Sequence, residues 1–301
     1  MIYGLLIAFA PLFLGYLLVI KHTGVLHWIN RISLYCLYLI LLIMGISLGQ
    51  LDELATKLPQ IGATAFGLAY ILHGSNILAL AMFDKYAPMP RQTHHAEALP
   101  SRRKVLCESL QLCFAVLIGG IIGFFTKGVV DFPLYSSTYV LVVMIFCVGI
   151  QLRSSGIPLK EVFLNKRGLI TSLIFIVSGL IGGVIAAYVL GLPLIKSLAL
   201  TAGFGWYSLS SVLINDAWGA MYGSIAFFND LFREIFCLFA IPFFMRQYPS
   251  TAVGLGGATS LDATLPIIQK SGGIQVVPLA ISFGFIINLA VPILMSFFIG
   301  L

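Results

Sequence analysis

The sequence predicts an all-α integral membrane protein with about eight transmembrane helices plus two re-entrant or broken segments, organised as inverted repeats. Three observations predict it. Of 301 residues, 59% are hydrophobic and only 9% charged, against about 45–50% and about 25% in a soluble domain. Eight runs approach or exceed the roughly 18–20 apolar residues needed to cross about 30 Å of hydrocarbon as a helix: 2–20, 32–49, 58–83, 105–126, 134–152, 168–191, 220–244 and 274–300. Two further segments, 193–216 and 251–271, are apolar but too rich in Gly, Ser and Thr for ordinary lipid-facing helices. The long uninterrupted runs exclude a barrel, whose strands would alternate over about 10 residues.

The run 2–20 has no basic residue ahead of it and no small-residue cleavage pattern after it, so it reads as a span and not a removable leader. His27 and Trp28 fall in the loop that follows, with Trp28 as an aromatic at the membrane interface. In span 58–83 the stretch "ILHGSNILAL" places His73, Ser75 and Asn76 as an interruption that lines a pathway or makes interhelical contacts. Asp84 to Lys104, with three prolines and the pair His94 and His95, is the one long hydrophilic connector. It divides the chain into a three-span part (1–83), a basic connector (84–105) and a C-terminal part (106–301) that holds both broken segments. Asp52 and Glu53, like Asn215 and Asp216, read as interfacial turns.

Lys and Arg gather on the cytoplasmic side of membrane proteins. Loops after spans one, three and five carry Lys21, Arg31, Lys85, Arg91, Arg102, Arg103, Lys104, Arg153, Lys160, Lys166 and Arg167, while the intervening loops hold Lys57, Lys127 and Lys196. This asymmetry places both termini outside, and it explains the net charge of +6 without a nucleic acid or acidic partner. With re-entrant segments Arg246 and Lys270 are also cytoplasmic; ten full spans remain the alternative. Cys36, Cys107, Cys113, Cys147 and Cys237 all lie in apolar runs without a CxxC pair, which argues against a disulfide framework or metal cluster. No cofactor is expected.

The chain repeats itself. "MGISLGQL" (44–51) resembles "VGIQLRSS" (148–155), at the ends of spans two and five, and "TAGFGWYSLS" (201–210) resembles "TAVGLGGATSLD" (251–262). Each of the second pair precedes a long apolar helix, and the two enter from opposite faces in the eight-span arrangement. Paired interrupted segments in inverted orientation point to a secondary transporter with its site at the midplane.

The stretch "FFNDLFREIF" (227–236) puts Asn229, Asp230, Arg233 and Glu234 near the centre of span 220–244. A charge at that depth costs about 2.5–3.5 kcal/mol on insertion scales, so these groups are paired, hydrated or functional. Asp230 and Glu234 share a face, with Arg233 three residues from Asp230 and four from Asn229. One arginine beside two acids leaves a surplus negative charge, and a further acid, Asp262, lies in the broken "GATSLDATLP". Two acids from different elements suit a cation. Gly205 and Gly256 let the backbone approach a ligand, and Ser208, Ser210, Thr259 and Ser260 supply hydroxyls to freed backbone or substrate.

"GISLG", "GIQLRSSG", "LNKRG", "GFGWYSLS", "AFFNDLFREI" and "GATSLDATLP", in this order and spacing, resemble the LysO-type bacterial lysine exporter family over the whole chain. The resemblance implies export of L-lysine and its analogue thialysine, eight spans with both termini periplasmic, and functional intramembrane acids at Glu234 and Asp262. Together with the residue reading it gives a multi-pass protein of the bacterial inner membrane whose partners are L-lysine, protons and the lipid bilayer, working by alternating access and proton antiport; self-association into a homo-oligomer stays open. The rival transport reading is a cation/proton or carboxylate transporter in which the same acids bind Na⁺ or protons. An intramembrane enzyme is disfavoured because neither a GxGD nor an HExxH pattern occurs, and a scaffold has little reason to keep acids at midplane depth.

Overall fold

A computed structural model describes residues 2–20, 22–89, 102–128, 136–154 and 165–301, and every regular element among them is helical. The expectations for His94 and His95 and for the rest of 90–101 lie outside the described residues. The helices are α1 (Ile2–Leu17), α2 (Thr23–Gly49), α3 (Leu54–Tyr86), α4 (Arg102–Thr126), α5 (Ser136–Ser154), α6 (Lys166–Leu190), α7 (Leu194–Thr201), α8 (Tyr207–Trp218), α9 (Ala220–Met245), α10 (Pro249–Gly256), α11 (Leu265–Gly272) and α12 (Val277–Ile299). Short 3₁₀ turns fill Gly257–Leu261 and Ile274–Val276.

Two expectations change, and an open alternative is decided. α2 starts before Trp28, so this residue is helical and not in a loop, with the Arg31 guanidinium 5.7 Å from its ring centroid. Of the two readings of His73, Ser75 and Asn76, the interhelical contact holds for Asn76, whose Oδ1 accepts from Ser178 of α6 at 2.7 Å within a continuous α3, while the hydroxyl of Ser75 bonds back to Leu72 O and His73 Nδ1 lies 2.7 Å from Ala69 O. Asp84 belongs to α3, not to the connector, and is buried. A carboxylate next to a polar stretch looks solvated in sequence, whereas here the helix continues past it and other helices cover it.

Packing separates the helices into two groups. α2 packs on α4 and α5, and α1 on α5; α3 packs on α6, α9 and α10, and α6 on α12. Without a hydrophobic driving force in lipid, helices associate through close backbone approach at small residues. A Cβ on Gly15 would strike Phe146 O of α5, just as a Cβ on Gly119 would strike Leu42 O of α2. Likewise Gly149 abuts Leu12 O and Gly45 abuts Val116 O. Every partner in the α1–α5 contact is displaced from its counterpart in the α2–α4 contact by one interval, that from Gly15 to Gly119. Gly45 and Gly149 are also the glycines aligned by the repeated "GISL" and "GIQL" motifs, so the sequence similarity corresponds to a shared packing surface.

The two broken segments double back. Lys196, at the start of α7, lies with its ammonium 4.0 Å from the Tyr222 ring centroid and 5.5 Å from that of Trp218, so the start of α7, the end of α8 and the start of α9 share one end of the molecule. At another place, Asp84 at the end of α3, Arg167 at the start of α6 and Ser250 at the start of α10 are hydrogen-bonded together. Gly272, at the end of α11, is packed against Met245 at the end of α9, so α10 and α11 also begin and end beside each other's flanks. α9 runs from the first cluster to the second. The breaks of the two hairpins touch where Ala258 N–H donates to Phe204 O at 2.9 Å.

Candidate substrate site

The site is built where the breaks cross beside α9. Helix ends expose unpaired N–H and C=O groups that must be satisfied in a medium without water. α7 stops at Thr201, and the chain turns through Phe204 (φ +45°) and Gly205 (φ +94°) before α8. Asp230 answers the N-terminal end of α8: Oδ1 accepts from Gly205 N–H at 3.1 Å and Oδ2 from Ser210 Oγ at 2.7 Å. Asn229 Nδ2 donates to the same carboxylate at 3.1 Å. A negative group there complements the positive end of the helix dipole.

Arg233 answers the opposite problem in the other hairpin. Its Nη2 donates to Gly254 O at 3.1 Å and Leu255 O at 3.2 Å, the last carbonyls of α10, where a cation complements the negative dipole end. Cys237 Sγ also donates to Leu255 O at 2.7 Å, Ser260 Oγ to Val253 O at 2.8 Å and Thr259 Oγ1 to Gly256 O at 2.8 Å. The guanidinium stacks 4.9 Å from the Phe175 ring centroid, and Phe175 in turn packs on Phe204 and Phe283 at 5.1 and 5.2 Å. Asp230 and Arg233, three residues apart on one helix, thus turn to different hairpins; they are 1% and 4% exposed.

Glu234 and Asp262 differ in placement. Glu234 is half-buried, and Asp262, just past the 3₁₀ turn, is exposed, with Oδ1 accepting from Ala263 N–H at 2.5 Å. Glu234 follows Arg233 on α9, and Asp262 follows the 3₁₀ turn at the break of the second hairpin. Ser208 is buried on the first turn of α8, and Gly256 packs against the hydroxyls of Ser260 and Thr264. Of the residues read from sequence, Asp230, Asn229, Ser210 and Gly205 form one network; Arg233, Thr259 and Ser260 satisfy the carbonyls of the second break.

Sequence reasoning missed the cluster at the base of the second hairpin. Asp84 Oδ1 accepts from Arg167 Nη2 at 2.7 Å and Ser250 N–H at 3.2 Å, and Oδ2 from Thr251 N–H and Oγ1 at 2.8 and 3.0 Å. It caps the N-terminus of α10 while pinning α3 to α6. Asn288 of α12 was missed as well; its Nδ2 donates to Ala258 O and Gly284 O, each at 2.7 Å. The signal for both is a polar residue at the end of, or within, an otherwise apolar run.

Residues 113–299 match the family described as Lysine exporter LysO. The chain is 46% identical over 296 residues to the lysine exporter LysO of Escherichia coli (strain K12), covering 98% of each chain. It is 59% identical over 188 residues to a protein of Haemophilus influenzae provisionally named a lysine exporter, covering 62% of this chain and 96% of that one. No solved structure matches the chain. With four helices long and apolar enough to cross a membrane among the described residues, and a family match over most of its length, the chain belongs to the LysO lysine exporter family and is a membrane-embedded transporter, not an enzyme.

Proposed function

We propose that this protein exports L-lysine, and analogues such as thialysine, across the bacterial inner membrane by alternating access coupled to proton entry. The carrying observation is the crossing of two hairpins that open toward different ends, joined where Ala258 N–H donates to Phe204 O, with Glu234 on the α9 that flanks it and Asp262 just past the second break. Eight helices cross, α7–α8 and α10–α11 re-enter from opposite faces, the halves are inverted repeats, and both termini are periplasmic. The ring contacts of Lys196, the Asp84–Arg167–Ser250 cluster and the reciprocal glycine contacts support this arrangement. The family match and the relatives' names support lysine as the substrate.

Moving one positive charge outward against an inside-negative potential costs about 2.3 kcal/mol per 100 mV. Exchange of one lysine cation for one incoming proton cancels that term. In this reading Glu234 and Asp262 hold an ammonium or a proton but not both well, which is the competition that coupling requires. Asp230, Arg233, Asn229 and Ser210 hold the two breaks in register, so they serve the site as supports, and Gly205, Gly256, Ser208, Thr259 and Ser260 shape it. In everted vesicles containing the protein, an imposed pH gradient drives uptake of labelled lysine and a Na⁺ gradient does not; lysine uptake driven by Na⁺ alone would replace proton coupling with cation coupling.

A further inference from the structure

Proton coupling, as proposed above, leaves open how a proton reaches a site at the crossing of the hairpins. We propose that protons enter along the interface of α8 and α9, from Asp216 at its outer end through Asn215 and Ser211 to Ser210 and Asp230. The proposal rests on the proton-coupled reading and adds the route by which the proton arrives.

α8 and α9 pack against each other on the two sides of the turn at Gly219. At the inner end of their interface Ser210 Oγ donates to Asp230 Oδ2 at 2.7 Å, and Glu234 lies about one helical turn further along α9. Nearer the turn, a Cβ on Gly223 of α9 would lie 2.6 Å from Asn215 Cβ and 3.1 Å from Ser211 O, so α9 covers the i, i+4 pair Ser211 and Asn215 on α8. Ser211 is fully buried, yet its Oγ has no hydrogen-bond partner among the described residues, and the same holds for the buried Oδ1 of Asn215. An unpaired buried polar atom costs about 1–3 kcal/mol, and packing alone would be served by alanine or leucine. A hydroxyl accepts through its lone pairs and donates its own hydrogen, so it can take a proton from one side and pass another onward. At the outer end Asp216, half-buried on the last turn of α8, accepts from Thr138 Oγ1 in the first turn of α5. That end is periplasmic in the arrangement proposed above. Backbones pressed together at Gly223 exclude a lysine side chain from this interface, whereas proton transfer needs no such width. Other charged groups near the route are Lys196, on the Trp218 and Tyr222 rings, and Arg233, turned to the second hairpin. Of the further helices packed on α8, α12 has no charged residue, and α2 and α5 carry Arg31 in the first third and Arg153 in the last turn. At the base of the second hairpin Asp84 is instead locked by Arg167 and the hydrogen bonds of Ser250 and Thr251.

Liposomes containing the full-length protein separate this route from the path of the substrate, because exchange of lysine for lysine at equal pH moves no net proton. For Ser211→Ala and Asn215→Leu the expected result is lysine accumulation driven by a pH gradient slowed about tenfold or more, part of the roughly 10²–10⁴ that a positioned proton-transfer group contributes, with lysine–lysine exchange at the wild-type rate. A selective fall of this kind in either variant supports the proposal. Wild-type proton-driven accumulation in both variants overturns it, as does an equal fall in accumulation and exchange, which is what a role in packing alone gives. If Asn215→Leu does not fold, Ser211→Ala, which removes a single oxygen atom, decides by the same outcomes. A wild-type protein that exchanges lysine but is not driven by a pH gradient removes the proton-coupled reading itself, and the inference with it.

Discussion

Gly257 is where the hairpins meet with least room, and it provides the sharpest test of the crossing. Its φ is +57°, and a Cβ there would lie 2.5 Å from Arg233 Nη2 and closer still to Phe204 O. The left-handed conformation costs a residue other than glycine about 1–2 kcal/mol, and overpacking against fixed atoms adds about 1–3 kcal/mol. The crowded guanidinium is tied to Gly254 O and Leu255 O, so relief requires shifting the crossing itself. Gly257→Ala is therefore expected to lose about 2–5 kcal/mol, a large part of the 5–15 kcal/mol of a typical folded protein, and to lower the melting temperature by at least about 4 °C. Gly74, in the interior of α3 with no atom within 4 Å of a Cβ, is the control: Gly74→Ala is expected to gain about 0.5–1 kcal/mol. Thermal unfolding of purified protein together with lysine transport in liposomes reads both. Gly257→Ala with wild-type melting and transport would refute the geometry of the crossing.

Single cysteines placed at Gly191 and Gly219 in a cysteine-free background are expected to react with an impermeant reagent from one side of the membrane, and those at Gln247 and Gly273 from the other; labelling of the two ends of one segment from opposite sides would mean ten spans. Asp84→Asn and Arg167→Gln are each expected to cost about 3–5 kcal/mol, because breaking a buried pair strands a charge, and a double-mutant cycle is expected to give a coupling above about 1 kcal/mol; additive effects would remove the pair from the account. The ion pair of Lys127 with Asp52 is the contrast. Its hydrogen bond of 2.6 Å lies in solvent, and Lys127 holds the Asp52 carboxyl below its ordinary value of 3.8. That contribution is present above the ordinary carboxylate range and is lost as pH falls through the lowered value, yet screening at the surface makes it small. Lys127→Met is expected to leave the melting temperature unchanged near neutral pH.

Much of the architecture is legible in the sequence because spans are set by apolar length and breaks by glycine and hydroxyl residues, as at 203–210 and 254–262. The roles of Asp230 and Arg233 are not. Spacing on α9 brings them to one region, but the groups they satisfy, Gly205 N–H and the carbonyls of Gly254 and Leu255, come from chain segments more than a helix away, and no local pattern encodes that distance. Asp84 was obscured by the polar residues after it, although helix capping is common for a carboxylate; the partner N-terminus lies at Ser250. The motifs "GISL" and "GIQL" were legible as a repeat, while their physical basis, carbonyls pressed against Gly45 and Gly149, required the packed helices.

The most direct test of the central claim is lysine exchange in liposomes with an imposed pH gradient and no membrane potential. The wild-type protein is expected to accumulate labelled lysine on the acidic side, moving it against the proton flow, and Glu234→Gln and Asp262→Asn are each expected to abolish that accumulation. Wild-type lysine rates and pH dependence in both variants would contradict it.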